Sequence, residues 1–182
     1  MIHLEKIDYR NVWDIINLEV TEPQEEFVAS NRISLVQAYS VLNSETTAFP
    51  FGIYNDDKPV GFLMIGFNEA ATYDDDRPVG FLMIGFNEAA KYGDGEEPPK
   101  ALDRNYSLWR LMIDKEYQKK GFGREAVRQA LEFIRTWPCG KAEYCALSYE
   151  PENTVAAKLY RSFGFEENGE MDGEEIVAVL KL

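Results

Sequence analysis

The chain contains one histidine, His3, and two cysteines, Cys139 and Cys145, in 182 residues. Neither cysteine lies in a metal-ligand spacing, and one histidine cannot complete a Cys/His nucleophile pair. No metal site is expected, and the two thiols read as reduced groups of a cytoplasmic protein. Basic residues are also scarce. Nineteen Lys and Arg against 32 Asp and Glu leave a formal charge of −13. Nonspecific nucleic-acid binding needs a cationic surface that displaces counterions, so no nucleic-acid partner is expected. No apolar run approaches the roughly 20 residues that span a bilayer, so no membrane partner is expected either. The opening Met1–Lys6 lacks a basic segment followed by an apolar one, so a secretory leader is not expected. Acidity of this size serves solubility in the first place, and it also steers cationic small molecules.

What is present reads as one domain, residues 1–182, with 45% apolar and 28% charged residues. Ile2 to Ile7 alternates as a strand, and Val12, Ile15, Ile16 and Glu19 have helical spacing, with Asp8 as a cap. Ser34-Leu35-Val36-Gln37 has the form of a capping box, predicting a second helix from there to about Leu42. Phe49–Tyr54 is strand-like, followed by turn residues from Asn55 to Pro59. Gly93–Pro99 reads as a loop, and Tyr106–Ile113 as a strand rich in apolar and aromatic residues. A helix over Arg124–Thr136 carries Val127, Ala130, Leu131 and Ile134 on one face. A strand at Tyr144–Ser148 follows, then a helix over Asn153–Phe163 stopped by Gly164. Phe165–Asn168, a turn at Met171–Glu174 and a strand over Ile176–Leu182 close the chain. Strand–helix–strand units in the second half predict an α/β (α+β) domain with a mixed sheet.

Residues Tyr54–Thr72 recur almost unchanged as Tyr73–Lys91, a tandem repeat of 19 residues differing at three positions. Two units are too few for a solenoid. The repeat therefore reads as one turn-plus-strand present twice, with Val60–Phe67 and Val79–Phe86 equally suited to a single slot in the sheet. An unplaced copy would be an apolar strand that favours pairing with a second molecule, so a homodimer is one expected outcome.

The chemistry concentrates in Gln118-Lys119-Lys120-Gly121-Phe122-Gly123-Arg124, placed between a strand and a helix. Glycines let the backbone approach a ligand, and the first turn of the helix offers unpaired N–H groups and a positive dipole end. Lys119, Lys120 and Arg124 add three positive charges in an otherwise acidic chain. These features suit a pyrophosphate. The Gly-Lys-Ser/Thr ending of a P-loop is missing, as is the three-glycine dinucleotide fingerprint.

Gln118, Gly121 and Gly123 fit Gln/Arg-x-x-Gly-x-Gly/Ala, and Asn153, Ala156, Leu159, Tyr160, Gly164 and Phe165 fit Asn-x-x-Ala-x-x-Leu-Tyr-x-x-x-Gly-Phe. In these two motifs, in this order, the chain resembles the GNAT family of N-acetyltransferases. The resemblance is sharp from Tyr106 to Phe165. Trp109–Lys115 and Gly169–Glu174 make it most similar to bacterial diamine and spermidine/spermine acetyltransferases.

The resemblance implies the GNAT fold: a mixed, mostly antiparallel sheet flanked by helices, here with a duplicated third strand. It implies acetyl-CoA as cosubstrate, with its pyrophosphate on the backbone of Gln118, Lys119, Lys120, Gly121, Phe122, Gly123 and Arg124. The pantetheine arm would pair with the main chain at Leu111, Met112 and Ile113, whose side chains can equally serve the core. Tyr160 is the implied general acid, its phenol matched to a thiolate leaving group; without the motif it would read as a core tyrosine. Asn153 either binds the cosubstrate or caps its helix. The strand glutamate that some polyamine acetyltransferases use is replaced by Trp109-Arg110, and no base is assigned. Glu22, Glu25 and Glu26 read as a solvated face near the implied substrate side. The implied acceptor is a small cationic amine such as a polyamine. An aminoglycoside, an amino acid, a protein amine, or a non-catalytic acyl-CoA-binding module are the other readings.

Overall fold

The structure, a computed structural model, describes residues 1–43, 46–68 and 105–182. Seven strands, β1 (Ile2–Lys6), β2 (Thr46–Asn55), β3 (Lys58–Asn68), β4 (Tyr106–Ile113), β5 (Tyr144–Tyr149), β6 (Glu166–Asp172) and β7 (Glu175–Lys181), form one sheet in the order β1-β2-β3-β4-β5-β7-β6. Every neighbouring pair is antiparallel except β4–β5. The helices are α1 (Val12–Ile16), α2 (Asn31–Ser40), α3 (Phe122–Ile134) and α4 (Thr154–Arg161). The parallel pair needs a crossover, and α3 supplies it.

β3 is built from near-continuous apolar residues, because both of its faces are covered. Leu63, Ile65 and Phe67 point to the side where α3 buries Ala126, Val127, Ala130, Leu131 and Ile134. Phe62 and Met64 point to the other side and pack with Ile15 and Ala38 of the two N-terminal helices. The first copy of the repeat therefore occupies the third slot, antiparallel to both β2 and β4. The second copy, residues 73–91, and the predicted loop at Gly93–Pro99 lie outside the described residues.

Most predicted elements are present with ends moved by a residue or more. α2 differs in kind. It begins at Asn31, capped by Ser30, whose hydroxyl accepts from Ile33 N–H. Ser34 is fully buried in the helix interior and donates to the Ser30 carbonyl at 3.1 Å, so Ser34 and Gln37 do not form a capping box. A capping box does occur at Thr21–Gln24, on the short 3-10 turn Glu22–Gln24. The cap of α1 is Asn11; Asp8 instead takes the guanidinium of Arg10. β6 runs on to Asp172, leaving Gly173 (φ +61°) and Glu174 as the turn into β7.

Candidate active site

β4 and β5 touch only briefly. Their register holds at Tyr106↔Cys145 and Ser107↔Ala146 and goes no further, although β4 continues to Ile113 and β5 to Tyr149. On its other edge β4 pairs with β3 almost to its end, with Met64 opposite Arg110 and Ile65 opposite Leu108. Trp109 is thus the extra residue of a β-bulge, and a bulge bends a strand and re-aims its side chains. The strands diverge beyond Ser107. Leu111, Met112 and Ile113 consequently present one main-chain edge to a wedge that no strand of the described residues fills. Their side chains remain structural: Leu111 and Ile113 pack on the α3 side, Met112 on the α2 side.

The wedge opens into a cavity of about 560 Å³. Its lining includes the start of α3. The helix cap is Gly121 (φ +83°), which brings no side chain to the exposed N–H groups, and Lys119 two residues earlier is also left-handed (φ +61°). A Cβ on Gly121 would meet nothing within 4 Å, so the space above the helix end is open. Gly123 has only Ile113 and Leu159 side-chain carbons near its own missing Cβ, at 3.7 and 3.8 Å. A 13-residue helix with no side-chain cap, facing open space next to a strand edge that no described strand pairs, fits a phosphorylated ligand with an amide-bearing arm.

The loop residues divide into two sets. Gln118, Lys119, Gly121, Phe122 and Gly123 line the cavity together with Leu111, Met112 and Ile113. Lys120 and Arg124 do not: Lys120 donates to the Glu116 carbonyl and lies over the Tyr117 ring, and Arg124 donates to Ser162 Oγ and lies over Phe163. The Gln118 side chain spans the site. Its Nε2 donates to Gln24 Oε1 at 2.8 Å and to the Ile113 carbonyl at 3.0 Å. Asp114 adds a parallel tie, accepting from Glu19 N–H and Glu116 N–H at 2.9 Å each.

α4 contributes Tyr160, which is buried between Tyr149 and Phe165 and lines the cavity. Burial above all, then Cys145 and Glu175, raise its phenol above the usual tyrosine value, so it is held protonated. Its hydroxyl has no hydrogen-bond partner among the described residues. Asn153 caps α4, its Oδ1 accepting from Ala156 N–H at 3.1 Å, and it also lines the cavity. Three carboxylates line the walls, Glu26, Glu150 and Glu175, together with Arg110. Of the expected acidic cluster, Glu22 and Glu25 are exposed and outside the lining; Glu26, also exposed, is part of it. Ser148, Glu150 and Glu175 carried no signal in the sequence. They meet only because β5 and β7 pair with Ser148 opposite Val177, two residues from Glu175.

A family model described as the acetyltransferase (GNAT) family matches residues 11–165. The chain belongs to that family. It is therefore an N-acetyltransferase with acetyl-CoA as cosubstrate and an amine as acceptor. Two relatives from Bacillus subtilis align over 180 residues, 97% of this chain and 96% of theirs. A probable spermine N(1)-acetyltransferase of subspecies natto strain BEST195 is 28% identical, and a spermine/spermidine N(1)-acetyltransferase of strain 168 is 27% identical. Among solved structures, an aminoglycoside acetyltransferase in complex with coenzyme A superposes with a TM-score of 0.65 at 15% identity, covering 100% of this chain and 95% of that one. The PaiA N-acetyltransferase of Thermoplasma acidophilum in complex with coenzyme A gives 0.60 at 14% identity, with 100% and 99% covered. At such identities these two likenesses speak for the fold. Among the described residues no cluster of three or more His, Cys, Asp or Glu side chains is arranged to hold a metal ion. No described helix is long and apolar enough to cross a membrane.

Proposed function

We propose that the chain, working as one domain, acetylates a primary amine of a polyamine, with Tyr160 as the general acid. The observation that carries this reading is the make-up of the cavity beside β4. A helix end with no side-chain cap, the β4 edge beyond its pairing with β5, a buried protonated phenol and three carboxylates line it together. In this reading the backbone of Gln118, Lys119, Lys120, Gly121, Phe122, Gly123 and Arg124 takes the pyrophosphate, with Lys119 adding charge from within. The main chain of Leu111, Met112 and Ile113 takes the amide-bearing arm, as an added strand would. Asn153 keeps α4 aimed at the site and has an amide NH₂ left for the ligand. Tyr160 gives its proton to the departing thiolate.

The acceptor follows from charge. Glu26, Glu150 and Glu175 give the cavity three anionic groups against Arg110 and Lys119, in a protein of net charge −13. That environment attracts a flexible polycation. Both Bacillus relatives carry spermine in their names, which supports the same class. The test is thiol release from acetyl-CoA with a panel of spermine, spermidine, diamines, an aminoglycoside, amino acids and a lysine peptide. Polyamines should show the highest kcat/KM. A higher value for the aminoglycoside or the peptide would overturn the polyamine assignment, and cofactor binding with no turnover would overturn the catalytic one.

A further inference from the structure

We propose that Glu175 is the catalytic base for the acceptor amine, aimed by Ser148. The inference rests on the acetyl-transfer reading of the cavity. That reaction leaves an excess proton on nitrogen, so a proton acceptor must reach the space beside Tyr160. The cavity offers three carboxylates, and their surroundings differ. Glu26 is exposed and follows the 3-10 turn that Gln24 ties to the cosubstrate loop. Glu150 begins the turn after β5, where its carbonyl accepts from Asn153 N–H at 2.9 Å. Glu175 is half-buried at the start of β7, and one carboxylate oxygen, Oε2, accepts the hydroxyl proton of Ser148. Its other oxygen has no partner among the described residues.

Two further features single it out. Of the three, Glu175 alone contributes to the upward shift of the Tyr160 phenol, after burial and Cys145, so its charge is felt at the proposed acid. A carboxylate that accepts a proton beside a phenol kept protonated is the division of acid and base roles that such a transfer requires. The pair is also rigidly based: β5 and β7 are in register from Tyr144↔Lys181 to Tyr149↔Ile176, which fixes Ser148 and Glu175 on adjacent strands.

The proton and bond bookkeeping closes with these two groups. The amine lone pair attacks the thioester carbonyl carbon, forming the C–N bond and leaving nitrogen cationic. Glu175 takes the proton from that nitrogen. As the C–S bond breaks, Tyr160 gives its proton to the thiolate. The proton on Glu175 then passes to the phenolate, directly or through water, and restores both groups. Free amine plus thioester become amide plus thiol, with no oxidant or metal consumed.

The experiment compares wild type, E175Q, E175A and S148A in spermine turnover, in acetyl-CoA affinity by calorimetry and in melting temperature. E175Q is expected to keep acetyl-CoA affinity within about twofold and to lose about 10²–10⁴-fold in kcat. S148A should lose less than E175Q. Added formate should restore part of the activity of E175A, because a small carboxylate can occupy the vacated space; a purely structural role would not respond. A kcat for E175Q within about threefold of wild type overturns the proposal. So does a loss confined to the spermine KM, or an E175A variant indifferent to formate. Wild-type enzyme that binds acetyl-CoA but turns over no amine would overturn the acetyl-transfer reading itself, a result distinct from any of these.

Discussion

Gln118 Nε2 donates to Gln24 Oε1 at 2.8 Å, joining residues 94 positions apart in sequence. The same Gln24 oxygen also accepts from Thr21 N–H at 3.2 Å and Thr21 Oγ1 at 2.8 Å. One amide oxygen thus gathers the glycine loop before α3 and the segment that leads to Glu26. Removing either glutamine side chain should loosen both. Q118A and Q24A are each expected to destabilise the protein by about 1–3 kcal/mol. The double variant should fall short of their sum by about 0.5–3 kcal/mol, the signature of a direct contact. Urea melts of the four proteins measure this. Strict additivity would show that the contact carries no energy.

Gly121 and Gly123 separate backbone strain from ligand approach. At Gly121 the φ of +83° is left-handed, so G121A should lose roughly 1–2 kcal/mol of stability even though its Cβ meets no atom. Gly123 lies in the first turn of α3, where alanine is favoured over glycine by roughly 0.5–1 kcal/mol. Its Cβ would make only ordinary contacts with Ile113 and Leu159. G123A should therefore melt no lower than wild type. If both glycines admit a pyrophosphate, both variants should bind acetyl-CoA more weakly in calorimetry. Undiminished affinity in G123A would move the phosphates elsewhere.

Tyr160 gives a signed pH dependence. Its folded pKa is raised, by burial first, above the value of about 10 for a free phenol. Below pH 10 the phenol is protonated in both folded and unfolded chains, so its contribution to stability is constant. As pH rises past 10 the unfolded chain ionises first, and stability falls until the folded pKa is reached. Y160F should remove that part of the alkaline loss. In activity, Y160F should lower kcat by about 10²–10⁴-fold while leaving acetyl-CoA affinity unchanged. Undiminished turnover would remove Tyr160 from the chemistry.

The thiols should differ. Burial pushes the Cys145 thiol up to about 12, and no part of it is exposed. Cys139 is half-buried on the turn after α3. An aromatic disulfide reagent at pH 8 should label Cys139 in the native protein and reach Cys145 only on unfolding. Rapid native labelling of Cys145 would mean that β5 opens far more readily than its place in the sheet implies.

The first copy of the repeat supplies all of β3, with Lys58 to Asn68 paired to β2 and Gly61 to Phe67 paired to β4. Deleting residues 73–91 leaves each of those pairings available. The shortened chain should therefore keep acetyl-CoA affinity within about twofold. L63A, in contrast, empties a fully buried position and should cost about 2–5 kcal/mol. A deletion variant that fails to fold would show that residues 73–91 are structurally required.

The glycine-flanked helix start was legible because its geometry is local. Gly121, Gly123 and the helix after them are contiguous, and backbone geometry is written into glycine. The α4 helix that brings Tyr160 to the cavity wall was legible through its motif. Glu175 was not, because nothing near it in sequence marks a site; its partner Ser148 is 27 residues away and is brought beside it by strand pairing. The start of α2 was misjudged for a local reason. Ser34 and Gln37 mimic a capping box, yet both are buried, and helix packing rather than capping explains them. Lys120 and Arg124 share the loop's charge but turn to Glu116 and Ser162, a difference that spacing cannot reveal.

The brief contact of β4 with β5 has a consequence for the protein's lifetime. Among the described residues, two residue pairs make up the strand pairing between β4 and β5. Acetyl-CoA bound there, as proposed, would act as a rivet, so occupancy and cohesion would become one quantity. At acetyl-CoA levels of 100 times Kd, mass action alone adds about 2.7 kcal/mol. When acetyl-CoA runs low, the enzyme is left not merely idle but easier to pull apart and to degrade.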